Sequence, residues 1–405
     1  MSKRRIAAGA SLLAAVLAGG LAAGQIPANA DAAPQGNDVV GVGSDVEQIA
    51  LNFLADGAPG GDLGYNSAGN KNRIFSFDAT GDANGRRLGT DPALGTSAAL
   101  NSTVVLRAGT SPVQRPNGGS AGLAALLADG TNDEISFVRT PNLPTSTQQG
   151  SAKASIASGG LGTPLHAVEI ATDTDYIATA TTTNAPSSLS GKDLVNIYNG
   201  TWTTWGQVPH YSDTHTTAQD NAAIIPLIPQ TGAGMRTVFL NGLSSFTSDG
   251  KALSIIGTNV KQVQQNDPTA ITGLSAADQA NAIVPFPQSR LSQLTNGYFH
   301  TPDTAYPGGA ALSAAGISVI KTGTAPSDGT AAWKIVFPYY IVFRQSDLDS
   351  NSTPWQPGGT LNWVKTLFSD PDGPAPYVNT APAQKLLTDS GVTPLYNDLG
   401  VPNNS

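Results

Sequence analysis

Apolar residues occur in short runs separated by Gly, Asn, Asp and Thr, and their spacing alternates between strand-like and helical periods. Val39–Gly43 reads as a short strand, after which Val46, Ile49, Phe53 and Leu54 fall on one face of a helix closed by Gly57. Ser44 and Glu47 have the spacing of a capping box at that helix's start. Strand-like pieces at Arg73–Phe77 and Thr103–Arg107 lie in a polar, glycine-rich stretch between Gly57 and Asn117. Leu123, Leu126 and Leu127 mark a second helix, opened by Gly118-Gly119-Ser120 and ended near Gly130, with a strand at Ile135–Arg139 after it. The same order continues with strands at Val168–Thr182, Ala223–Ile228, Ala282–Phe286 and Trp333–Arg344. Helices are predicted at Leu189–Tyr198, Met235–Leu243, Leu361–Phe368 and Ala383–Ser390. Strand–turn–helix order of this kind predicts an α/β fold around a mostly parallel sheet.

Composition narrows the function. The 405 residues carry a net charge of −8 and no cysteine, which excludes disulfides, thiolate metal sites, a Cys nucleophile and a lipid anchor through an N-terminal Cys. Acidity argues against nucleic acid and anionic membrane as partners. The hydrophobic fraction of 40% supports a folded core, and 405 residues exceed the roughly 250–300 that one core serves, so more than one lobe is expected. Lys3, Arg4 and Arg5, the apolar run Ile6–Ala23 and the triplet Ala28-Asn29-Ala30 predict a signal peptide over residues 1–30, cleaved after Ala30. Loss of its three basic residues takes the charge from −8 to −11, so a secreted protein of the extracellular space, cell wall or periplasm is expected.

Enzyme motifs are missing: no G-x-S-x-G elbow, no phosphate-binding P-loop and no H-E-x-x-H. We therefore expect no enzyme and no cofactor. His210, Asp213 and His215 read as a solvated loop, as does Asp347-x-Asp349-x-Asn351, which lacks the later glycine and glutamate of a calcium loop. Trp202 and Trp205 are read as packing residues in preference to a sugar platform. Three glycine-rich turns that open helices carry more information: Gly41-Val42-Gly43-Ser44, Gly118–Gly122 and Thr231-Gly232-Ala233-Gly234. Helix starts expose backbone N–H groups, and glycine lets a solute approach them closely.

The segment Leu189-Ser-Gly-Lys-Asp-Leu-Val-Asn-Ile-Tyr-Asn-Gly-Thr-Trp-Thr-Thr-Trp205 resembles a helix, glycine exit and tryptophan typical of periplasmic phosphate-binding proteins, the solute receptors of phosphate ABC importers. Ile225–Leu243, Ala282–Phe286, Trp333–Phe343 and Gly391–Leu395 resemble further segments of that family, with an apparent insertion between Gly57 and Asn117. The resemblance implies a type II periplasmic-binding-protein fold of two hinged lobes, each a mixed sheet flanked by helices. Residues 31–165 with 335–405 would form one lobe and 166–334 the other. Ligand-binding residues are expected at Ser44, Asp45, Ser120, Arg139, Thr231, Gly232, Ala233 and Gly234. The resemblance also implies a monomer that takes phosphate or another small anion or polar solute, with an ABC permease as a candidate partner.

The departures from the family's pattern are informative. Asp45 and Glu47 bring two carboxylates to the first turn, Ala233 and Met235 replace hydroxyl residues, and Pro229 stands where the family has an arginine. Arg139 and Arg236 are the candidates for a different anion clamp. The leading expectation is a solute receptor that holds phosphate weakly; the alternative is an extracellular binding or adhesion module that kept the fold and lost the phosphate site.

Overall fold

The computed structural model describes residues 34–58, 61–68, 70, 72–77, 79, 103–130, 132–295, 316–350 and 362–402. The expected signal peptide lies outside them, as does much of the 57–117 insertion. Twelve strands are named here: β1 Val39–Gly43, β2 Ile74–Ser76, β3 Thr103–Val104, β4 Val113–Gln114, β5 Phe137–Thr140, β6 Leu165–Ala180, β7 Ile225–Pro229, β8 Lys261–Val263, β9 Ala282–Pro287, β10 Ile317–Ile320, β11 Ile335–Arg344 and β12 Thr393–Gly400. The principal helices are α1 Gln48–Asp56, α2 Gly119–Asp129, α3 Ser146–Lys153, α4 Gly191–Tyr198, α5 Gly234–Gly242, α6 Gln288–Thr295, α7 Trp363–Leu367 and α8 Ala381–Asp389.

Ten strands make one sheet in the order β2-β1-β5-β11-β6-β9-β7-β8, with β10 and β12 paired to β6, while β3 and β4 form a separate hairpin. The two ends of the sheet are parallel (β2-β1-β5 and β9-β7-β8), but β11 runs antiparallel to β5 and β6, and β6 antiparallel to β9. The sheet is therefore mixed, and its centre departs from the mostly parallel expectation. The reason lies in β6, a 16-residue strand whose first part pairs with β11 and β12 and whose last part pairs with β9 and β10.

β1 shows why its residues form a strand at this place. Val39 packs into one core while Val40 and Val42 pack into another on the opposite face, so the strand is apolar on both sides. A second cluster is built within residues 177–333, where Tyr198 meets Phe239 edge-on at 4.7 Å and Phe239 meets Trp333 at 5.3 Å. The largest cluster joins β1, α1 and α8 to β11 and α7, with Phe137 against Phe368 at 5.1 Å. Trp205 is fully buried and its indole N–H donates to Asn281 at 2.9 Å, so it packs the interior and offers no platform to a sugar.

Candidate functional site

The glycine turns meet at the carboxyl ends of β1 and β5. A Cβ built on Gly122 would stand 2.8 Å from the Cα of Gly43, so α2 starts directly against the end of β1. Ser44 N–H donates to the Arg139 carbonyl and Gly118 N–H to the Gly43 carbonyl, at 2.9 and 3.3 Å. A Cβ on Gly118, whose φ is +107°, would stand 2.8 Å from the Gly232 carbonyl oxygen. Asn142 Nδ2 reaches the Gly234 carbonyl at 3.4 Å. Chain segments near residues 43, 118, 140 and 232 thus converge on one place.

The charges form a buried knot beside these turns. Arg139 is fully buried and donates through Nε to the Ser44 carbonyl (3.2 Å), through Nη1 to Ser76 Oγ (2.6 Å) and through Nη2 to the Phe77 carbonyl (2.7 Å). Its guanidinium braces the strand ends. Asp45 is also fully buried: Arg290 Nη2 lies 3.4 Å from Oδ1 and donates to the Asp45 carbonyl at 3.1 Å, and Asn266 Nδ2 donates to Oδ2 at 3.2 Å. Burial pushes the Glu47 carboxyl well up, partly offset by Arg139 and the Thr140 backbone.

Several sequence expectations change here. Helix α1 starts at Gln48, with Glu47 at its N-cap and no side-chain cap, so the Ser44–Glu47 capping box does not form. Asp45 and Glu47 lie in the turn before the helix, where arginines draw their carboxylates. Ala233 and Met235 are buried, and Met235 belongs to the large core, so a hydroxyl at 235 would face apolar neighbours. Arg236 donates to the Pro229 carbonyl at 2.9 Å. Ser120 and Gly232 are exposed, while Thr231 donates from both N–H and Oγ1 to Gln262 Oε1. Ser44, Asp45 and Arg139 are thus gathered in the knot, and Ser120 with Thr231–Gly234 belongs to the neighbouring turns. His210 sits 3.2 Å from Asp213, and His215 stacks on Tyr211; among the described residues no group of three His, Asp or Glu could hold a metal ion.

Sequence reasoning did not find Arg290, Asn266, Asp173 or Tyr339. Tyr339 Oη lies 3.0 Å from the Val46 carbonyl and 3.1 Å from Asp173 Oδ2, and Asp173 Oδ1 accepts from Ser289 N–H. Helix α6 buries Ser289, Arg290, Gln293 and Leu294, so three of its four buried positions are polar. No apolar period marks that face, and only the arginine within an otherwise uncharged helix could have drawn notice.

Burial raises Asp173 to about 6, and burial with the neighbouring Asp173 holds Asp175 well above the usual carboxylate range. Both bind their protons more tightly folded than unfolded. Stability is therefore expected to fall as pH rises from about 4, the unfolded value, through about 6. Asp398 moves the other way: burial raises it, but hydrogen bonds from His166, Ser369 and Gly400 N–H bring it down to about 2, so it acts only below that window. Denaturant unfolding at pH 4.5 and 7 (about the two ends of the window) checks this. Asp173→Asn, which keeps an acceptor for Ser289, should flatten the dependence; an unchanged slope would contradict the assignment.

A family model described as a PBP superfamily domain matches residues 98–366, about two-thirds of the chain. Similar solved structures include an ABC-type phosphate transport receptor from Vibrio cholerae, 14% identical over 88% of this chain and 99% of that one, TM-score 0.46. Another is a phosphate-binding protein from Stenotrophomonas maltophilia, 12% identical over 90% of this chain and 91% of that one, TM-score 0.46. No curated protein matches the sequence. Among the described residues no helix is long and apolar enough to cross a membrane. On the extent of the family match, the chain, whose sheet is mixed and flanked by helices, belongs to the PBP superfamily.

Proposed function

We propose that this protein is a secreted solute receptor, similar to those of phosphate ABC importers, that encloses a small uncharged polar solute in preference to phosphate. The two lobes of this reading are residues 31–165 with 335–405 and residues 166–334, with β6 and β11 crossing between them. The convergence of the glycine turns near Gly43, Gly118 and Gly232 carries the reading, because close backbone approach is what a small enclosed ligand needs. The charge pattern supports the preference. Arg139 and Arg290 already face carboxylates or carbonyls of the chain, while Asn117, Gln264 and Gln265 beside the turns are neutral amides. Asn117 Nδ2 lies 3.5 Å from Gln264 Oε1, and the buried Gln265 side chain has no hydrogen-bond partner among the described residues.

A hydrogen bond to a charged group is worth about 1.5–3 kcal/mol, so the loss of two hydroxyls and one guanidinium costs phosphate roughly 4 kcal/mol or more, about a thousandfold in affinity. Calorimetry on the chain from residue 31 should show phosphate and sulfate binding weakly or not at all, and at least one uncharged polyol, sugar or amide binding far more tightly. Micromolar phosphate binding, or silence across the whole panel, would overturn the reading. A permease partner follows from the same reading, and its genes beside this one would support it.

A further inference from the structure

The contacts of Asp45 are unusual for a residue in a strand-to-helix turn. Its carboxylate has no exposure, and its charged partner, Arg290 on α6, is 245 residues away in sequence and also fully buried. Its second oxygen takes a hydrogen bond from Asn266, 221 residues away in the loop after β8. Arg290 Nη2 also donates to the Asp45 backbone carbonyl, so the guanidinium grips both the side chain and the main chain. Two donors from the middle of the chain therefore converge on a carboxylate from its beginning. A guanidinium and an amide set against two oxygens of one planar anion are the groups that recognise a free oxyanion.

We propose that Asp45 is a built-in anion: its carboxylate occupies an oxyanion position between Arg290 and Asn266, ties the N-terminal turn to the middle segment, and turns external anions away from the site. The inference rests on the reading of this region as a solute site and names Asp45 as its specificity-determining residue. Two physical consequences follow. An incoming phosphate would have to displace a buried carboxylate that cannot leave, and it would meet that charge at close range. Conversely, an anion that replaces the side chain should restore what its removal takes away, since the partners would remain in place.

Anion rescue tests this. Breaking a buried pair from one side leaves a buried charge uncompensated, so Asp45→Ala should lower the thermal midpoint by about 5–10 °C. Formate and acetate, which match the deleted carboxylate, should raise the midpoint of Asp45→Ala saturably, with chloride at equal ionic strength as the control. Inorganic phosphate should bind Asp45→Ala at least about tenfold more tightly than the unmodified protein. Asp45→Asn, which keeps the volume filled, and the double variant Asp45→Ala with Arg290→Met should show no saturable anion response. If Asp45→Ala is recovered only unfolded, refolding yield with and without acetate replaces the thermal readout.

Absence of rescue in Asp45→Ala would overturn the proposal, as would equal rescue of the unmodified protein or the double variant. The two readings fail separately. An unmodified protein that binds no solute, together with rescued Asp45→Ala, would remove the receptor function and leave the built-in anion; a receptor with no rescue would do the reverse.

Discussion

Arg139→Met should destabilise the protein by about 3–5 kcal/mol, the cost expected when one member of a buried charged set is removed. Three separate oxygens lose their donor at once: the Ser44 carbonyl, Ser76 Oγ and the Phe77 carbonyl. Ser44 follows β1, and Ser76 and Phe77 end and follow β2, which reaches β5 in the sheet only through β1, so the guanidinium links three strand ends. Glu47 would also lose the cation that partly offsets its burial, which raises its proton affinity further. Arg139→Lys should recover only part of the loss, because an ammonium cannot reproduce the planar fork that reaches all three acceptors. Denaturant unfolding at pH 7 measures the difference. A change below about 1 kcal/mol would mean that Arg139 is not the brace described here.

Gly118→Ala should weaken solute binding by about tenfold or more, with a stability cost of only about 1–2 kcal/mol. Two effects act at this residue. Its φ of +107° disfavours any side chain, and a methyl group would meet the Gly232 carbonyl at 2.8 Å, where backbone has to move. Gly130→Ala separates the two: its φ is also positive, at +59°, but nothing lies within 4 Å of the added carbon. Gly130→Ala should show the cost of positive φ alone, Gly118→Ala that cost plus the backbone shift, and only Gly118→Ala should lose affinity for whichever solute the unmodified protein binds. Equal affinities in the two variants would show that the approach of residues 118 and 232 does not shape the site.

How far the sequence could be read follows a physical line. Apolar runs were legible wherever burial is apolar: Val39–Gly43 and Ala282–Phe286 are buried strands, and Leu123 and Leu126 face the core from α2. The glycine turns were legible because backbone contact leaves a residue type behind. Polar burial was not. Asp45 and Glu47 read as two carboxylates of a first helical turn, and only the fold brings Arg290 from α6 and Arg139 from β5 to them. The capping box failed for the same reason, since the turn that Ser44 enters is held by Arg139 and not by its own helix. β12 also went unseen: its sequence, Thr-Pro-Leu-Tyr-Asn-Asp-Leu-Gly, has no alternation, and it pairs with β6 through two irregularities.

The long central strand also sets a timetable for the chain as it is made. Glu169 in β6 and Asn397 in β12 are partners 228 residues apart, and β11 must be present before either edge of the first part of β6 is covered. Closing such distances is slow, because the entropy of the intervening loop is lost before the pairing returns anything. A ribosome that has released only the first half of this protein has produced a β6 with bare edges and no completed sheet. The nascent polypeptide therefore leaves β6 with bare edges until residues near 400 emerge, a state that holdase chaperones recognise.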